Sequence, residues 1–133
     1  MGNSNVMGWF HFADTDLALA EHACLMHPRP LEIICYHCQQ AAEKYLKGYL
    51  VHKGIRPPKT HELDLLCNMC LEFDSRFDEI FDKCEMLSDY GVQPRYPNEM
   101  EIFEHHMQKA LTCAQQIKAF APLQELRAEL EQE

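Results

Sequence analysis

Apolar residues between Pro30 and Gly54 recur in alternating steps of four and three. They are Leu31, Cys35, Cys38, Ala42, Tyr45 and Tyr49, with Ile34, Ala41 and Gly48 alongside. That spacing lays an apolar stripe, with a second row beside it, along one helix. Pro30 suits the first turn, where its missing N–H has no partner to lose. At the far end His52 and Lys53 suit the helix dipole, and Gly54 suits the C′ position. This helix is predicted to be the central rod of the fold. Its polar face carries His37, Gln40, Lys44 and Lys47 in steps of three and four, so the four line up.

The same rhythm runs from Val6 to Met26 through Phe10, Ala13, Leu17, Ala20 and Cys24, with Trp9 as a core anchor. His27-Pro28-Arg29-Pro30 breaks the chain, since each Pro pushes the residue before it out of the helical region. Ile55 to Lys59 reads as a stiff connector, and Thr60 as the N-cap of a third helix that buries Leu63, Leu66, Cys67, Cys70 and Phe73. Asp74-Ser75 offers another N-cap, for a helix burying Phe77, Ile80, Phe81, Cys84 and Leu87 and ending near Tyr90-Gly91. Two prolines exclude a helix from Val92 to Pro97. Asn98 and Glu101 resemble a capping box for a fifth helix, with Phe103, His106, Ala110, Ala114, Ile117 and Ala121 inward. No stretch alternates with a strand's period of two, so the fold is predicted to be all-α: a four-to-five-helix antiparallel up-and-down bundle. Residues 1–121 form one domain. Residues 122–133 are an acidic C-terminal tail, open to being a short helix, a frayed end or a partner-facing arm.

Composition sharpens this in three places. The chain has 133 residues, enough for one self-sufficient core, and a formal net charge of −9. That charge argues against a protein-wide field for nucleic acid or anionic membrane while leaving room for a local basic patch. With no apolar run near the roughly 20 residues of a membrane span and no secretory signal at the N-terminus, a cytoplasmic protein is expected. Its seven cysteines are then reduced thiols. Cys35/Cys38 and Cys67/Cys70 have CxxC spacing, but both pairs fall on apolar helix faces, where thiols pack as small hydrophobes; no metal or cofactor is expected.

The chain carries no glycine-rich phosphate loop, no GxSxG and no HExxH. Two loops hold candidate chemistry. Arg56-Pro57-Pro58-Lys59-Thr60-His61 gathers two cations, an imidazole and a helix N-terminus, a combination suited to anions. Tyr90 to Pro97 holds Arg95 and Tyr96 between two prolines, a guanidinium for phosphate and a ring for stacking on a base.

The run CYHCQQAAEKYLKGYLVHKG, then PPKTHELDLL, then DYGVQPRYP, preceded by GWFHFADTDLALAEHA, resembles the HEPN domain (higher eukaryotes and prokaryotes nucleotide-binding). The resemblance spans about Trp9 to Phe120 and implies a helical bundle that is often a homodimer. It also implies a gene neighbour encoding a minimal nucleotidyltransferase, as in two-gene toxin–antitoxin systems. Many members are metal-independent ribonucleases with Arg, four to six residues, then His. Here Arg56 and His61 have that spacing, but Pro57 follows the Arg and the segment lies between helices. The chain is therefore more similar to members that carry the RYP segment without the nuclease motif, which implies a non-catalytic module binding a nucleotide or RNA phosphate. Arg95 and Tyr96 would contact phosphate and base, with His61, Lys44, Lys47, Tyr90 and Gln40 around them. Two alternatives stand beside it: a ribonuclease toxin using Arg56 and His61, and a purely structural dimerisation module.

Overall fold

The computed structural model describes residues 2–91 and 101–132, with side chains from residue 5 onward. Among the described residues six α-helices run in the order α1 (Gly2–Ala23), α2 (Leu31–His52), α3 (Leu63–Leu71), α4 (Phe81–Ser88), α5 (Glu104–Lys118) and α6 (Ala121–Glu131). A 3-10 segment, Ser75–Ile80, leads into α4. There is no strand among the described residues.

All five other helices pack on α2, which makes it the rod of the bundle. Its apolar stripe is buried from Cys35 to Tyr49. Phe10 meets Tyr45 edge to face, with ring centroids 5.7 Å apart, while Asp16 further along α1 reaches back to His37. Advancing along α1 thus means retreating along α2, so the pair is antiparallel. Gly48 is where they come closest: a Cβ there would stand 3.0 Å from atoms of both Trp9 and Phe10. Only a residue without a side chain lets the two backbones approach this far.

Helix ends follow local chemistry. Gly54 has φ +80, its N–H donates to Val51 O at 3.0 Å, and Ile55 N–H donates to Leu50 O at 2.9 Å. These are the paired bonds of a Schellman motif, and Gly54 fills the left-handed position that motif needs. Asp74 caps the 3-10 segment by accepting from Arg76 N. The start of α3 differs from the sequence expectation. Thr60 Oγ1 accepts from Glu62 N in a local turn, and the first free N–H of the helix, Leu63 N, donates instead to Ser88 Oγ of α4 at 2.8 Å. A cap from a distant helix leaves no trace in the local sequence.

The fifth helix begins at Glu104, after Glu101, and Asn98 lies outside the described residues. His106 turns to the helix end, where its Nδ1 accepts from Phe103 N at 2.9 Å. Phe103 and Phe73 are both exposed, so the inward faces of their helices are narrower than the sequence pattern implied.

Among the described residues the acidic C-terminal stretch forms a helix, one of the outcomes its sequence left open. Leu123, Leu126 and Leu130 of α6 are buried. Arg127 donates to both oxygens of Asp14 on α1, at 3.0 and 2.9 Å, and its guanidinium lies 5.2 Å from the Phe10 ring centroid. Tyr45 donates its hydroxyl to the same carboxylate. Burial works to raise the Asp14 pKa, but hydrogen bonds from Arg127 and Tyr45 and the charges of Arg127 and Lys118 outweigh it and hold the carboxyl below its ordinary 3.8. Arg76 adds a second tie, bridging Asp74 to Glu125 of α6.

Both CxxC pairs lie inside. Cys35, Cys38, Cys67 and Cys70 are fully buried, and Cys67 and Cys70 direct their thiols to Phe77 O and Leu46 O. Burial, helped by the Glu32 charge, pushes the Cys35 thiol up to about 12. Burial likewise raises Cys38 and Cys70. Such thiols behave as packing groups.

Candidate functional site

Glu43 stands on α2 at 5% exposure, a position where an unpaired carboxylate would be costly. Three donors converge on it. His61 Nδ1 lies 2.8 Å from Oε1, Gln39 Nε2 donates to Oε1 at 3.2 Å, and Lys47 Nζ, one turn along, donates to Oε2 at 3.0 Å. Gln39 Nε2 also donates to the backbone O of His61 at 2.9 Å, and Gln40 Nε2 donates to Gln39 Oε1 at 2.7 Å. Gln39, Gln40, Glu43 and Lys47 are all buried, while the His61 side chain is 63% exposed. One imidazole is therefore held at the surface by a satisfied interior network.

A second carboxylate repeats the arrangement. Asp16 of α1 takes His37 Nδ1 on Oδ1 at 2.9 Å and Lys44 Nζ on Oδ2. Each carboxylate thus couples one imidazole to one ammonium, and the two clusters occupy a single band of α2 from His37 to Lys47. Ten helical steps make that band about 15 Å long.

The connector bearing His61 is fixed from the α4 side. Ser88 caps Leu63, and a Cβ on Gly91 would lie 3.0 Å from His61 Cβ and 3.2 Å from Gln39 Nε2. Backbone at the end of α4 therefore lies directly against the network.

With this geometry in view, the comparison with known families is decisive. A model of the HEPN domain matches residues 6–126. The chain belongs to the HEPN family. No curated protein matches it. Among solved structures, the crystal structure of TT1696 from Thermus thermophilus superposes with a TM-score of 0.72, covering 90% of this chain and 96% of that one. Sequence identity is 24%, so the likeness is one of fold.

Within this HEPN domain the expected site residues do not all come together. His61, Gln40 and Lys47 are brought together, yet Lys47 is buried with its charge committed to Glu43. Lys44 and His37 belong to the neighbouring Asp16 cluster. Tyr90 is partly buried against the core, and burial, with the nearby Cys35 and Asp89, raises its phenol pKa. Arg95 and Tyr96 lie outside the described residues. Arg56 and Lys59, on the same connector as His61, are exposed and make no ion pair among the described residues.

Glu43, Gln39 and Asp16 were not among the expected site residues. A spacing of four lets Glu43 and Lys47 pair on a helix, but it carries no signal of their burial. Among the described residues no group of three or more His, Cys, Asp or Glu side chains is arranged to hold a metal ion. What the site offers is an imidazole oriented by a carboxylate, on a connector that also bears the exposed Arg56 and Lys59.

Proposed function

We propose that this HEPN domain is a non-catalytic module that binds a nucleotide or an RNA phosphate and acts with a partner minimal nucleotidyltransferase, in the manner of a two-gene toxin–antitoxin system. The observation that carries the binding half is the juxtaposition of exposed His61, held by Glu43, with Arg56 and Lys59 on one short connector. Arg56 and Lys59 supply the phosphate charge in place of Lys44 and Lys47, whose ammonium groups already face carboxylates. Arg95 and Tyr96 add phosphate and base contacts. The domain works as a homodimer in a cytoplasmic setting; among the described residues no helix is long and apolar enough to cross a membrane.

Calorimetry with ATP tests the binding half. Arg95→Ala and the pair Arg56→Ala/Lys59→Ala should each weaken binding while leaving the melting temperature in place. Unchanged affinity in both variants would remove the proposal. Co-expression with the product of the neighbouring gene tests the partner: failure of a small nucleotidyltransferase to co-purify would count against it.

One observation favours a second reading. A carboxylate on Nδ1 is the arrangement that orients an imidazole as a general base, and Arg56 is near enough in sequence to steady a developing phosphorane charge. A metal-independent ribonuclease would cleave RNA in EDTA and lose that activity in His61→Ala. Cleavage that survives the substitution excludes His61 as the base.

A further inference from the structure

Glu43 decides which nitrogen of His61 carries the proton. Its Oε1 lies 2.8 Å from Nδ1, and the same carboxylate already accepts from Gln39 and from Lys47. A group on which an ammonium and an amide both converge acts as an acceptor, so the hydrogen between Glu43 and His61 belongs to Nδ1. In the neutral ring the lone pair is then on Nε2. That atom has no partner among the described residues, and the side chain is 63% exposed. At neutral charge, His61 therefore shows its ligand an acceptor.

Ionised phosphate oxygens are acceptors themselves and cannot pair with that lone pair. A nucleotide carries two kinds of donor that can: sugar hydroxyls and exocyclic base amines. A phosphate held by Lys59 would favour the first. Lys59 is exposed, free of ion pairs among the described residues, and two residues from His61, which limits the Cα separation to about 7 Å. With a phosphate on Lys59, the group next to it along the nucleotide is the sugar, and the base is further off.

We propose that His61 Nε2 accepts a hydrogen bond from a ribose hydroxyl, with Glu43 as the positioning residue, so that the site prefers ribonucleotides over their deoxy forms. This rests on the nucleotide-binding reading above. The imidazole then acts as a sugar reader beside a separate phosphate contact, and the Gln39–Gln40–Lys47 network keeps Glu43 fixed as its acceptor.

Calorimetry at pH 8, where an ordinary imidazole is neutral, tests it with ATP, 2′-deoxy-ATP, 3′-deoxy-ATP and inosine triphosphate. ATP should bind about three- to tenfold more tightly than at least one deoxy analogue, the range of one hydrogen bond. In His61→Ala that preference should vanish, with ATP falling to the deoxy level. Equal affinity of the wild-type protein for ATP and both deoxy analogues overturns the proposal while leaving nucleotide binding intact. A loss seen only with inosine triphosphate moves the contact to the base and overturns it too. No ATP binding at all removes the nucleotide reading and this one with it. A ligand-free measurement stands apart from these: two-bond proton–nitrogen spectra of the histidine rings at pH 8 should show His61 protonated at Nδ1. Protonation at Nε2 would overturn the positioning role. Glu43→Gln, whose amide can donate to Nδ1, should introduce the Nε2–H form.

Discussion

Gly91 and His61 touch across the site: a Cβ at position 91 would stand 3.0 Å from the Cβ of His61 and 3.3 Å from Ser88 O. Neither atom is the far end of a flexible side chain, so the connector has little freedom to yield. Gly91→Ala should cost about 1–2 kcal/mol, read as a lower urea midpoint with an unchanged slope, and should displace the His61 ring resonances. An unchanged midpoint would mean that the connector moves freely.

The buried Glu43–Lys47 pair should show strong coupling. Glu43→Leu strands an ammonium in the interior and should cost on the order of 3 kcal/mol. Adding Lys47→Met removes the stranded charge, so the double variant should be more stable than Glu43→Leu alone by at least about 1 kcal/mol. Strict additivity in denaturant melts would show that Lys47 finds water when its partner is lost.

Acid stability should depend on Arg127. The Asp14 carboxyl lies below its ordinary 3.8 in the folded chain, so the stability it contributes is fully present above about pH 4 and is lost as pH falls through the folded value. Arg127→Met should flatten the fall in stability below pH 4 and lower stability at pH 7. Because Asp14 is a third exposed, the loss at pH 7 should be only on the order of 1 kcal/mol. Equally steep acid unfolding in the variant would assign the pH dependence to the Asp74 and Glu125 carboxyls, which Arg76 also holds low.

Thiol labelling should separate Cys24 from the rest. It is the one cysteine of the chain that is only partly buried. Under native conditions one equivalent of a thiol reagent should react quickly, and the remaining six at a rate set by unfolding. Fast reaction of Cys35 or Cys38 would show that α2 is more open than its burial implies.

Much of the bundle was legible because its determinants are local. The four-three stripe of α2, the left-handed glycine at 54 and the Asp74 cap each act within a few residues. What sequence missed was set by distant partners. Leu63 is capped from Ser88, and His106 serves its own helix end where its spacing pointed inward. The polar face of α2 was legible only in part. Periodicity aligned His37, Gln40, Lys44 and Lys47, but it carries no sign that the connector and the end of α4 cover part of that line or that α1 brings Asp16 to the remainder. His61 stood out through its neighbours in sequence; Glu43, which orients it, looked like one more surface carboxylate.

The Asp14–Arg127 pair joins residues 113 positions apart. On a growing chain α1 and α2 can meet early, because they are consecutive, yet the Asp14 carboxylate receives Arg127 only after α6 has emerged. Until then, the Phe10 ring and the Asp14 carboxylate that takes the Tyr45 hydroxyl lack the cover that Leu130 and the guanidinium provide. The order of synthesis therefore leaves that side of α1 and α2 open to solvent until α6 is made, and α6 is the element that closes it.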